Sequence, residues 1–189
     1  MKIKALALSF GLAALAMHAG PAVSSDAATA APLQAIAALD VPRYMGTWYE
    51  IAKYPNWFQK KCISDTRADY SLQPDGRVQV INRCREQGGE LSEAVGMARQ
   101  IGAADSARLE VRFAPAWLSF LPMVWGDYWV IDLDPDYQLV AVSEPGREYL
   151  WVLSRTPVVD AQAYEALLGR LAARGFDLGK LERTQQQGK

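Results

Sequence analysis

Eight short runs of β character follow one another along this chain, and turn residues separate them. The runs are Trp48 to Tyr54, Thr66 to Gln73, Arg77 to Cys84, Leu91 to Ile101, Ala107 to Phe113, Asp127 to Leu133, Tyr137 to Ser143 and Tyr149 to Arg155. Their links include Pro74-Asp75-Gly76, Gly102 to Ser106, Asp134-Pro135-Asp136 and Glu144-Pro145-Gly146-Arg147, all turn-like. Sequential antiparallel pairing is the simplest topology for such a series. Eight strands paired in this way can close into a barrel, which removes exposed edges and leaves an interior just large enough for one small ligand. One helix follows: Asp160 can cap it, Tyr164, Leu167, Leu168 and Leu171 recur at helical spacing, and Gly175 can end it. Its apolar face requires a partner, and the outside of the sheet supplies one. The polar tail Thr184 to Lys189 is expected to fray.

Composition narrows the chemistry. The 189 residues, half of them hydrophobic and 22% charged, suffice for one sizeable core. A net charge of −1 gives no general electrostatic reason to bind nucleic acid. The single histidine, His18, lies in a leader that is expected to be removed. Without imidazole, a mature chain cannot build a Ser-His-Asp or Cys-His site, a histidine zinc site or a histidine-ligated haem. No Walker loop, G-x-G-x-x-G, C-x-x-C or G-x-S-x-G occurs either. The expectation is a protein that is not an enzyme, with no cofactor, no metal and no nucleic-acid partner.

The leader itself begins with Lys2 and Lys4, runs apolar from Ala5 to Met17 and is rich in small residues through Ala31. That is the pattern of a secretory signal over residues 1–30, with cleavage after Ala19, Ala22 or Ala30. The apolar run is too short for the roughly 20 residues that span a bilayer. Residues 31–189 then form a single domain, exported to the periplasm or secreted. No cysteine lies near these cleavage points, so a lipid-modified N-terminus is not expected. Export makes Cys62 and Cys84 candidates for a disulfide, the alternative being two buried thiols.

The segment Tyr44-Met45-Gly46-Thr47-Trp48-Tyr49-Glu50-Ile51-Ala52 resembles the G-x-W signature of lipocalins. Asp134, with Tyr137 as a looser turn residue, stands at the place of that family's second motif, and Arg155 at the place of the third. Tyr49 to Ala52, Phe58 to Cys62, Ala68 to Leu72 and Leu150 to Pro157 are most similar to the subgroup of bacterial lipocalins and apolipoprotein D. The resemblance implies an all-β, eight-stranded antiparallel up-and-down barrel with one C-terminal helix packed outside. It also implies that Gly46, Trp48, Asp134, Tyr137 and Arg155 are structural, with Arg155 lying across Trp48 at the closed base. Binding, storage or transport of a fatty acid or lysophospholipid at the cell envelope is the implied function, with association to the outer membrane left open.

Strand parity assigns the lining. If Trp48 points inward, Glu50, Ala52 and Tyr54 share its face, because side chains alternate with period two. The same reasoning turns Ala68, Tyr70 and Leu72 inward, then Val78, Val80 and Asn82, then Leu109, Val111 and Phe113, then Tyr128 and Val130, then Trp151 and Leu153. Glu110 and Arg112 then face out. Asn82 and Trp151 match ligand contacts of the subgroup. The apolar loop 114–126, carrying Trp117, Leu118, Phe120, Leu121, Met123, Val124 and Trp125, falls at the open mouth as lid, membrane-dipping tip or dimer contact. The expected ligand contacts are thus Tyr54, Tyr70, Val80, Asn82, Phe113, Trp117, Trp125, Tyr128 and Trp151, with a small lipid as partner. Two rivals remain: a ligand-free interaction module in which the barrel is filled and loop 114–126 binds a protein partner, and a lipocalin-type isomerase; a homodimer is a separate open possibility.

Overall fold

The computed structural model describes residues 31–187, so the leader lies outside the described residues. Asp40 caps a single-turn helix α1 (Val41–Tyr44), its side chain accepting from the Arg43 amide. Eight strands follow: β1 (Gly46–Lys53), β2 (Cys62–Leu72), β3 (Val78–Glu86), β4 (Leu91–Gln100), β5 (Arg108–Arg112), β6 (Gly126–Leu133), β7 (Leu139–Ser143) and β8 (Leu150–Ser154). Each pairs antiparallel with the next, and β8 returns to β1. The result is the expected up-and-down barrel. Helix α2 (Ala161–Ala173) lies on its outer face, capped by Asp160 as expected.

Two apolar layers follow from the period-two alternation. Trp48, Tyr70, Val80, Leu109, Val130, Val140, Val142 and Leu153 fill the interior. Ile51, Ile131, Leu139, Ala141, Leu150 and Val152 point the other way, under Tyr164, Leu167 and Leu171 of α2. A bidentate Arg170–Asp132 ion pair, with both contacts at 2.8 Å, fixes the helix to β6. The Cys62–Cys84 disulfide forms and ties the start of β2 to the end of β3, with its Cα atoms 5.5 Å apart.

Three local features depart from the sequence reading. First, β1 carries a bulge: Glu50 faces Leu153, yet Ala52 already faces Val152. The extra residue inverts the parity above Glu50. Ala52 and Tyr54 therefore join the outer layer instead of the interior, and Tyr54 packs on Phe176 with its hydroxyl donating to the Asp177 carbonyl. Second, the tail is not frayed through residue 187. A short strand β9 (Glu182–Arg183) pairs with β1 at Ala52 and Lys53, while the Gln185 carbonyl accepts from Asp65 and Gln185 bridges to Ser64. β1 and β2 pair only from Gly46 to Tyr49, and the tail fills the gap that opens beyond. Third, Tyr137 belongs to the β6–β7 turn, at φ 59°, instead of starting β7. Leu72, of inward parity, lies at the end of β2 and is exposed.

Candidate ligand-binding site

The closed base is assembled by the motif residues. The Arg155 guanidinium carbon lies 3.9 Å from the Trp48 ring centroid. Its nitrogens donate to the carbonyls of Tyr137, Thr47 and Arg43 at 3.2, 3.0 and 2.9 Å. Gly46 adopts φ +95°, and a Cβ there would sit 3.3 Å from the Arg155 Nη1, so backbone conformation and close approach both favour glycine. Asp134 accepts from the Gln138 and Leu139 amides and so fixes the β6–β7 turn. The Tyr137 hydroxyl accepts from the Asp40 amide. These five residues bind chain segments to one another at this end of the barrel.

Above Trp48 stands a cluster of phenols. The Tyr128 hydroxyl lies 2.8 Å from that of Tyr44 and 3.0 Å from that of Tyr70. Burial pushes all three well above the ordinary tyrosine value, Tyr70 to about 12. Tyr44 and Tyr70 are buried, whereas Tyr128 is partly exposed. Val78 and Val80 complete this level.

Higher up, the wall opens. Asn82 is half-buried, and no hydrogen bond joins its side chain to the protein among the described residues. Ala94 faces Asn82 across β3–β4 and is exposed. The Phe113 ring lies over Gly96, where a Cβ would come within 2.8 Å of it, and the phenylalanine is 44% exposed. On the opposite side Trp151 stacks on Tyr149 at 5.8 Å and meets Phe58 at 6.2 Å. Along the barrel axis the inward-facing residues thus grade from buried Trp48 through the tyrosines to aromatics that reach solvent, a series called the cup.

A polar latch that the sequence reading did not include holds the β1–β2 loop to this rim. Gln59 donates to Glu50 Oε2 at 2.8 Å, and its carbonyl oxygen accepts from Trp151 Nε1 at 3.0 Å and Asn56 Nδ2 at 2.6 Å. Thr184 of the tail donates to Glu50 Oε1 at 2.6 Å. Glu50 is 2% exposed, and burial raises its carboxyl above the ordinary range against these hydrogen bonds. Both oxygens are engaged, which suits a structural carboxylate. Gln59 sits in a loop, where no periodicity marks a side chain as inward; only its closeness to a glutamine-hungry carboxylate would have signalled it.

The predicted contacts thus divide. Tyr70, Val80, Asn82, Phe113, Tyr128 and Trp151 converge on the cup, while Tyr54 lies outside it. Trp125 is also outside. Its ring is clamped by Arg99 and Arg112, at 4.1 and 5.2 Å, and these arginines project from the outer face because their neighbours Ala98 and Val111 occupy the inner one. Trp117 stands on the loop at the mouth and is 72% exposed. Both cysteines are consumed in the disulfide, which removes the thiolate route of an isomerase reading, and the carboxylate that such chemistry could use instead, Glu50, has both oxygens engaged by Gln59 and Thr184. Among the described residues, no group of three or more His, Cys, Asp or Glu is placed to hold a metal ion.

An antiparallel barrel with a sealed base, an open aromatic mouth and one external helix defines a carrier of small hydrophobic ligands. The model of the lipocalin-like domain matches residues 39–186, and the chain belongs to the lipocalin family. Temperature-induced lipocalin-1 of Arabidopsis thaliana is 41% identical over 155 residues, covering 82% of this chain and 83% of the plant protein. Outer membrane lipoprotein Blc of Escherichia coli (strain K12) is 37% identical over 150 residues, 79% of this chain and 80% of its own. Apolipoprotein D of Mus musculus is 32% identical over 154 residues, 78% and 77% of the two chains. Insecticyanin of the tobacco hornworm Manduca sexta shares the fold, with a TM-score of 0.64 at 17% identity over 83% of this chain and 86% of that one.

Proposed function

We propose that the protein binds and carries a single-chain lipid, a fatty acid or lysophospholipid, at the cell envelope. The observation that carries this reading is the grading of the cup. Apolar walls lead from a sealed tyrosine floor to a rim of Phe58, Phe113, Tyr149 and Trp151, with the Asn82 amide as the polar group of the upper wall that lacks a protein partner. Pockets for small molecules are built in this way, from apolar surface and a few placed polar groups. Affinity comes from burying the chain, at roughly 25 cal/mol per Å² before ordering costs.

The leader supports export to the periplasm or beyond, with residues 31–189 as the mature domain. The name of the E. coli relative supports a place near the outer membrane. Trp57, Trp117, Phe120 and Met123 are exposed on the mouth loops beside exposed Lys60 and Lys61. Aromatic side chains favour the water–lipid boundary and lysines favour anionic head groups, so this rim is suited to collecting lipid from a membrane surface.

Trp151 tests the assignment. Replacing it with alanine removes an aromatic wall but none of the base contacts. Trp151→Ala should weaken binding of a lysophospholipid by about tenfold, in line with a lost aromatic contact, with an unchanged far-UV spectrum. Unchanged affinity would remove Trp151 from the site.

A further inference from the structure

We infer that the floor of the cup is a hydrogen-bonding site for the carbonyl or carboxyl oxygen of the bound molecule, so that a fatty acid lies with its carboxyl group at the base and its chain toward the mouth. The inference rests on the lipid-binding reading above and adds the orientation of the cargo.

A proton count at the phenols carries it. Tyr44, Tyr70 and Tyr128 own three O–H protons, yet only two contacts join their oxygens, Tyr44 to Tyr128 at 2.8 Å and Tyr70 to Tyr128 at 3.0 Å. Each contact uses one proton. No other hydrogen bond engages these hydroxyls among the described residues, so one donor has no acceptor from the protein whichever way the protons are arranged. A buried donor without a partner is costly, and a ligand that supplies an oxygen relieves that cost. The terminal methyl of an acyl chain does not.

Geometry gathers the three hydroxyls within the inner layer of the barrel. The Tyr44 and Tyr70 rings stack at 5.7 Å, and Tyr70 meets Tyr128 edge-on at 6.3 Å, which fixes all three oxygens at one point. Tyr128, paired with the inward Leu109 across β5–β6, is the partly exposed member of the three. Trp48 closes the space beneath, and the positive charge of Arg155 lies behind that indole, a setting that favours an electron-rich oxygen. The phenols resist ionisation, so the cluster stays a neutral donor across the physiological range. The remaining phenol lone pairs can accept from a protonated carboxyl, which makes a carboxylic acid complementary in both directions.

The test uses palmitic acid labelled with carbon-13 at its carboxyl carbon, bound to the intact mature protein and followed by NMR as pH is varied. A carboxyl held at the floor should give a resonance that does not move through the ordinary carboxylate titration range and that resists a water-soluble relaxation agent. A resonance that titrates as in free solution places the carboxyl at the mouth and overturns the inference, while binding itself stands. Absence of binding by both palmitic acid and palmitoyl lysophosphatidylcholine overturns the lipid-carrier reading and the orientation with it. The triple variant Tyr44→Phe, Tyr70→Phe, Tyr128→Phe gives a second readout, since any smaller subset still leaves at least one spare proton. It should lose about tenfold in affinity for palmitic acid but not for the lysophospholipid, whose chain ends in a methyl. Equal loss for both ligands would contradict a carboxyl-specific floor.

Discussion

Glu50 shows how one side chain couples the barrel wall to its covering segments. Its oxygens accept from Gln59 of the β1–β2 loop and Thr184 of the tail, and its own backbone carbonyl accepts from Gln186 at 2.8 Å. Burial raises its carboxyl in the folded state, so between the ordinary glutamate range and that raised value the folded protein binds more protons than the unfolded chain. The contribution to stability is therefore complete below about pH 4.3 and declines as pH rises through the folded value. Glu50→Gln cannot titrate and keeps the shape. Denaturant midpoints should favour the wild type most at about pH 4 and lose that advantage toward about pH 8; parallel profiles for the two proteins would show that Glu50 does not change protonation on folding. The base residues at this scale were legible in advance, because Gly46, Trp48, Asp134 and Arg155 belong to motifs whose roles are geometric. Gln59 was not, since a loop carries no periodicity from which an inward side chain can be read.

At the level of elements, the seam between β1 and β2 is where the sequence reading failed and where the structure is most specific. All eight strands and the helix were legible from alternation, turn residues and caps. The β1 bulge was not, because Glu50-Ile51-Ala52 gives no local sign that one residue is extra, and the inverted parity moved Ala52 and Tyr54 to the helix side. The tail was hidden for a related reason: Thr184 to Gln187 is polar, as a frayed end would be, yet its polarity supplies the hydrogen bonds that span the open seam. Gln186 reaches both the Glu50 and the Thr66 carbonyls at 2.8 Å, and the Gln187 amide donates to Asp65 at 2.7 Å. Deleting Glu182 to Lys189 should cost roughly 3 kcal/mol, as expected for several lost hydrogen bonds. It should also speed amide exchange along Ser64 to Thr66 and the upper part of β1, where edges become unpaired. Unchanged stability and exchange would mean that the barrel closes without the tail. Trp125 illustrates the same limit in a loop: two arginines on the outer face draw it away from the mouth where its sequence position suggested it would stand.

For the whole molecule, the division of labour runs along the barrel axis. Cation–π and backbone hydrogen bonds lock the base, phenols set a polar floor, and an apolar wall opens to an aromatic rim beside two lysines. Helix α2 contributes none of the cup lining and serves to bury the outer layer. The general form of this site was readable because parity places alternate residues inside once one of them is fixed. Its details depended on long-range contacts, among them the meeting of Tyr44, Tyr70 and Tyr128 from three elements distant in sequence. The most direct test of the carrier function is native mass spectrometry of the mature protein purified from the periplasm, with extraction and identification of whatever travels with it. A lipid carrier should show a discrete added mass that resolves into a fatty acid or lysophospholipid, whereas a bare mass that also fails to shift on addition of lysophospholipid would contradict a lipid-binding cup and favour an interaction module built on the exposed rim.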